Sequence, residues 1–169
     1  MGMSRFYSDL PRGEKYEYKH LEKIKQFFPD MDKIQGKEKK WDLYSDSSKL
    51  GFEVKYDPKS QETGNIVVEI EMPPGNPSGL STTRAKYWIF DTGKEEFYVR
   101  TDTLKDLVIS FPTRQFTGPE DREPKIAYLI KKRFIKDIST TLTEIAFTEK
   151  LIELDPIEKI KNKEQINYE

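Results

Sequence analysis

No cysteine occurs among the 169 residues, and histidine occurs once, as His20. These absences exclude disulfide scaffolds, thiolate zinc sites, cysteine nucleophiles and multi-histidine metal sites. Any metal must then be held mainly by oxygen, which favours a hard cation such as Mg2+ or Mn2+. Long apolar runs are missing too. Nothing approaches the roughly 20 apolar residues that span a bilayer, and residues 1–12 carry no stretch resembling a signal peptide. The expectation is a soluble, cytoplasmic protein with no membrane partner. A surplus of one charge sign is also absent, with 29 basic against 30 acidic side chains. A nucleic-acid partner would have to be met by local patches. Basic clusters lie at 33–40, 131–133 and 159–163, and each alone fits an ordinary solvated surface.

What is present argues for one folded domain. Aromatic residues make up 12% of the chain, enough with its spaced Ile, Val and Leu to oppose disorder, and 169 residues suit one core better than two. Tyr16, Leu21, Ile24, Phe27 and Phe28 recur at helical spacing and predict a helix over 13–28, closed by Pro29. Strand patterns follow at 41–44, 51–56 and 66–72, read as three consecutive strands joined by polar turns. Residues 73–79 form a Pro/Gly loop. Ser81, Thr82 and Thr83 offer caps for a short helix carrying Arg84, Ala85 and Lys86. Two more strands are expected at 87–90 and 96–100 around a Thr92-Gly93 turn, then a helix at 103–110. A long polar loop spans 113–124, a strand 126–130 and a helix 139–154, which Pro156 ends; 155–169 reads as a charged tail.

Chemistry enters at Phe52-Glu53-Val54-Lys55-Tyr56-Asp57. On an extended strand Glu53, Lys55 and Asp57 share one face, while Phe52, Val54 and Tyr56 share the other. A hairpin through Asp46 to Lys49 would bring Asp42 alongside Glu53. Two carboxylates around a divalent cation can polarise a phosphoryl oxygen and activate water, and a nearby ammonium can stabilise the charge that develops. As a lone tripeptide, Glu-x-Lys is more often a solvated face with a cross-strand ion pair.

The ordered set is more specific than the tripeptide. Asp42 followed by Glu53-Val54-Lys55 resembles the PD-(D/E)xK nuclease superfamily. The longer series through Thr63-Gly64-Asn65, Glu69, Pro77-Ser78-Gly79-Leu80 and Ala85-Lys86-Tyr87-Trp88 is similar to small phage-encoded endonucleases and archaeal-type Holliday junction resolvases. The likeness covers about residues 13 to 100. It implies an α+β fold with an αβββαβ core and a central mixed sheet flanked by helices, a nuclease domain over 1–154, and Mg2+-dependent cleavage of DNA, with Mn2+ able to substitute.

The resemblance further implies metal ligation by Asp42, Glu53 and the Val54 backbone carbonyl, with Lys55 as the catalytic lysine. An acid of the first helix completes the set, and Glu17 fits its spacing better than Glu14. Trp41 stands where relatives often have proline, and Lys86 where phage relatives often have an acid. Asp57 and Glu69 are possible accessory groups, with Glu69 equally suited to an ion pair within the sheet. Ser81, Thr82 and Arg84 are candidate DNA contacts, or in the first two cases simple helix caps. Tyr87 and Trp88 read as core, and His20 as a surface or packing residue. The implied partner is branched DNA, cut by a homodimer whose two-fold symmetry supplies paired sites. Alternatives are a duplex-cutting or end-processing nuclease of the same fold, and a non-catalytic DNA-binding or assembly protein.

Overall fold

Helix α1, Arg12–Lys25, turns Glu17, His20, Leu21 and Ile24 inward at helical spacing, so two of its four buried residues are polar. The computed structural model to which it belongs describes residues 11–36, 39–118 and 121–153. The helix ends three residues before the expected point. Gln26 and Phe27 donate to the carbonyls three residues back, and this tighter turn delivers Phe28 into the core.

Next come β1 (Asp32–Lys33), β2 (Leu43–Ser45) and β3 (Leu50–Tyr56), then a single helical turn α2 (Ser60–Thr63) and β4 (Asn65–Glu71). A 3-10 turn at Gly79–Ser81 leads to β5 (Tyr87–Asp91), β6 (Glu96–Arg100), α3 (Thr101–Val108), β7 (Thr113–Phe116) and β8 (Lys125–Lys131). Two helices, α4 (Lys132–Asp137) and α5 (Leu142–Glu153), complete the described chain.

The strands form two sheets, one of five in the order β1-β2-β3-β5-β6 and one of three in the order β4-β8-β7. In the larger sheet β3 runs parallel to β5 while the other pairs are antiparallel, so the fold is α+β with a mixed sheet. Its two faces cover separate cores. Phe52, Val54, Tyr87 and Ile89 pack with Leu21 and Ile24 of α1 and Ile145 of α5. Trp88, Phe90, Phe97 and Val99 pack with Ile66, Val68 and Ile130 of the smaller sheet and Leu104 of α3. The central strand β5 is buried along its whole length because both layers close on it.

Several expectations are corrected here. The three consecutive strands do not share a sheet, because β4 leaves to pair with β8 and the flank of β3 is taken by β5. A parallel neighbour needs a crossover, and residues 57–86 supply it by way of the second sheet. No helix forms at 81–86 beyond the 3-10 turn. Arg84 N–H is committed to the Lys40 carbonyl and Lys86 N–H to the Gly51 carbonyl, which holds this stretch extended across β3. The expected loop at 113–124 contains the exposed edge strand β7, and α4 and β1 were not anticipated. The closing helix starts at Leu142 because Thr140 bridges to Tyr98. The tail at 155–169 and the basic cluster at 159–163 lie outside the described residues. No described helix is long and apolar enough to cross a membrane.

Candidate metal centre

Pairing of β2 with β3 runs from Leu50 to Phe52 and stops, leaving the next rung of that strand edge without a strand neighbour. A carboxylate takes the rung. Val54 N–H donates to Asp42 Oδ2 at 2.8 Å, so Asp42 is fixed against the edge of β3. Trp41 helps to place it: the indole stacks on Tyr44 and lies over Gly51, where a β-carbon would come within 3.0 Å of the ring. The tryptophan at the expected proline position therefore has a packing role of its own. Along an extended strand one residue's N–H and C=O point to the same edge, so the Val54 carbonyl shares the side on which Asp42 sits.

At this edge a cleft of about 360 Å³ opens, lined by Glu17, Asp42, Glu53, Val54 and Lys55, with Arg12, Lys39 and Tyr56 around them. Three elements deliver the acids. Glu17 comes from α1, Asp42 from the approach to β2 and Glu53 from β3. Asp42 and Glu17 are nearly withdrawn from solvent, at 3% and 9% exposure. Of the two helix acids it is Glu17 that lines the cleft, while Glu14 reaches Lys33 from outside at 3.6 Å.

The cluster is electrostatically strained and then balanced by lysines. Burial raises the carboxyl of Glu53 above its ordinary range, Lys55 opposes that rise, and Asp42 adds to it. Glu17 is likewise raised, by burial first and then by Asp42, against Lys39 and Lys33. Lys55 lies 3.1 Å from Glu53 Oε1 and over the Trp88 ring. Burial alone would lower its pKa, but Glu53 and Asp42 outweigh it and hold the ammonium charged. Lys39 Nζ touches Asp42 Oδ1 at 2.5 Å and Glu17 Oε1 at 3.2 Å. Glu17 Oε2 is buried without a hydrogen bond among the described residues, with Lys33 Nζ 3.3 Å away. Three carboxylates and a strand carbonyl are oxygen donors of the chemical type that hard divalent cations take.

The other candidates fall elsewhere. Asp57 turns out of the cleft, where its carboxylate accepts Val67 N–H at 3.1 Å and ties β3 to β4. Glu69 accepts the Ser78 hydroxyl at 2.8 Å and lies close enough to Lys55 to help keep it charged. A β-bulge between Glu69 and Glu71 interrupts the alternation of β4 here. Gly79 seals this junction, since at φ +52° a β-carbon would sit 2.9 Å from the Glu69 carbonyl carbon. Ser81, Thr82 and Arg84 do not line the cleft, and the N–H groups of Ser81, Thr82 and Thr83 are spent inside the 3-10 turn. No open amide array remains there for a phosphate. Tyr87 and Trp88 are core, as expected. Lys86 pairs with Glu149, a buried acid of α5 that the sequence pattern did not single out.

Among the described residues, one trio of histidine and acids has all its ligand atoms within 4.8 Å of one another: His20, Asp91 and Glu96. The acids around Asp42 are spaced more widely than that, with Lys39 between two of them. The tighter trio could hold a metal, and lysines pair with its acids as Lys39 does with Asp42 and Glu17. Lys19 lies 2.9 Å from Asp91 and 3.0 Å from Glu96, and Lys23 lies 2.7 Å from Glu96. His20, expected as a surface or packing residue, is fully buried, and its Nε2 is 2.8 Å from Asp91 Oδ2. Burial would raise the Asp91 carboxyl, but hydrogen bonds from His20 and Lys19 outweigh it and draw the value down to about 2.

Sequence reasoning missed Arg12, Lys39 and Tyr56 as cleft residues. Lys39 sits three positions before Asp42 within a lysine-rich run, and nothing in that run distinguished it from its neighbours. No family model, curated protein or solved structure matches the chain.

Proposed function

We propose that this chain is a Mg2+-dependent nuclease that hydrolyses phosphodiester bonds in DNA. The observation that supports it is the convergence of Glu17, Asp42, Glu53 and Lys55, from three separate elements, on one open cleft. Raised carboxyl groups packed beside one another oppose folding, and their gathering at one cleft supports a functional role for it. Asp42 and Glu53, with Glu17 and the Val54 carbonyl, would hold the cation. When bound, Mg2+ or Mn2+ supplies Lewis-acid polarisation of a phosphoryl oxygen and lowers the pKa of water. Lys55, kept charged by Glu53, faces the negative charge that builds on the phosphate and acts by electrostatics rather than by taking a proton. Arg12, over the Tyr56 ring at 5.0 Å, supplies a further cation at the cleft wall for the DNA backbone.

Branched DNA as the favoured substrate, and a homodimer making paired cuts, are carried by the resemblance of the motif series. The test is a labelled four-way junction and matched duplex incubated with Mg2+ or with chelator. Cleavage is expected with Mg2+ alone, lost in Asp42→Asn and Glu53→Gln, and kept in Asp91→Asn, which perturbs the other acidic cluster. Equal cleavage of junction and duplex would move the reading to a duplex-cutting enzyme. Full activity of Asp42→Asn would end the assignment of the site.

A further inference from the structure

The three acids of the cleft are each met by an ammonium, but the three lysines are placed differently. Lys55 serves Glu53, its neighbour on the same strand, and Lys33 approaches Glu17 from the side of Glu14. Lys39 alone spans acids from two elements, with Nζ at 2.5 Å from Asp42 Oδ1 and 3.2 Å from Glu17 Oε1. Its contact to Asp42 uses Oδ1, the oxygen left over when Oδ2 accepts Val54 N–H. An ammonium there does the neutralising work that a small hard cation would do, with oxygens of the same two residues. The two compete for those oxygens, and their like charges oppose close approach.

We infer that Lys39 is a built-in counter-ion of this site, exchanged for the divalent cation, and that it determines how much cation is needed to fill the cleft. The inference rests on the reading of the cleft as a cation centre. In the cation-free protein the Lys39 ammonium stabilises α1 against the β2 approach, because it joins Glu17 to Asp42. When a divalent ion enters, the ammonium leaves on its flexible stem and the same two carboxylates close on the new charge. Lys39 thereby protects the cluster from self-repulsion and sets a threshold below which the site stays filled by the protein itself.

The test is calorimetric titration of Mn2+ into the full chain as wild type, Lys39→Met, Lys39→Gln and Lys39→Arg, with thermal melts in Mn2+ and in chelator. Removing the competing charge should tighten Mn2+ binding about tenfold in Lys39→Met and Lys39→Gln, the size expected for release from one charge-assisted contact. Lys39→Arg should stay close to wild type. In chelator the two neutral variants should melt below wild type, and Mn2+ should restore them. The glutamine variant can still donate to the carboxylates and so guards against a Lys39→Met protein that fails to fold. Wild-type Mn2+ affinity in both neutral variants would overturn the exchange while leaving the cation centre standing. Absence of Mn2+ binding in all four proteins would overturn the cation centre and the exchange together.

Discussion

At the scale of single residues, the division of labour between Glu53 and Lys55 follows from where β3 places them. Alternation sends Phe52 and Val54 into the core beneath α1, so Glu53 and Lys55 emerge together on the opposite face, beside Trp88. Glu53 bears the cost. A carboxyl whose folded pKa lies above its unfolded one binds protons more readily in the native state, so its contribution to stability falls as pH rises beyond the ordinary carboxylate value of 4.5. Lys55 differs in that its raised pKa favours the charged form: the stability it contributes is fully present below the ordinary lysine value of 10.5 and is lost only as pH rises above it. That asymmetry fixes the expected phenotype of Lys55→Met. Single-turnover cleavage at saturating enzyme should slow by about 10²- to 10³-fold, the usual loss for one preorganised electrostatic donor, while DNA affinity changes little. A loss confined to affinity would remove Lys55 from the chemical step.

At the scale of elements, α1 matters because it carries Glu17 to the cleft and is clamped to the sheet at its other end. The clamp is His20 and Lys19 on Asp91 at the end of β5, with Lys23 and Lys19 on Glu96 at the start of β6. Asp91 is drawn down to about 2 from an ordinary 3.8, so its stabilising contribution is full above 3.8 and is lost as pH falls toward 2. The shift corresponds to about 2 kcal/mol. Asp91→Asn should therefore melt below wild type at neutral pH, and the gap should close in acid; a gap independent of pH would deny the clamp its ionic character.

The helix and the strands β2, β3, β5 and β6 were legible along the chain, the helix from its buried stripe and the strands from short apolar runs between polar turns, but the neighbour of β3 in the sheet was not. The partner of β4 was not legible. Ile66 and Val68 alternate as any half-buried strand does, and alternation states that a face is covered without stating by what. The clamp escaped for a related reason: His20 reads as one polar residue on a helix, and its partner lies 71 positions away.

At the scale of the molecule, two cores meet on the two faces of one mixed sheet, and the cleft opens where that sheet is locally incomplete. Asp42, Glu53 and Lys55 were legible in the sequence because residues on one strand and its hairpin neighbour keep predictable relative positions. Lys39, Arg12 and Glu149 were not, because long flexible side chains reach sites that local spacing does not define. The near-neutral total of 29 bases and 30 acids is resolved in the same way, by pairing at short range rather than by a uniformly basic surface.

The unpaired stretch of β3 has a further meaning for the state in which the protein travels. An exposed backbone rung is an invitation to any extended polypeptide nearby, and aggregation commonly starts from one. The carboxylate that occupies this rung turns such visitors away, so one side chain lines the cleft and guards the strand edge. Asp42→Ala should then self-associate in sedimentation runs where Asp42→Asn, whose amide oxygen still accepts Val54 N–H, stays dispersed. Equal behaviour of the two would show that the strand end needs no guard.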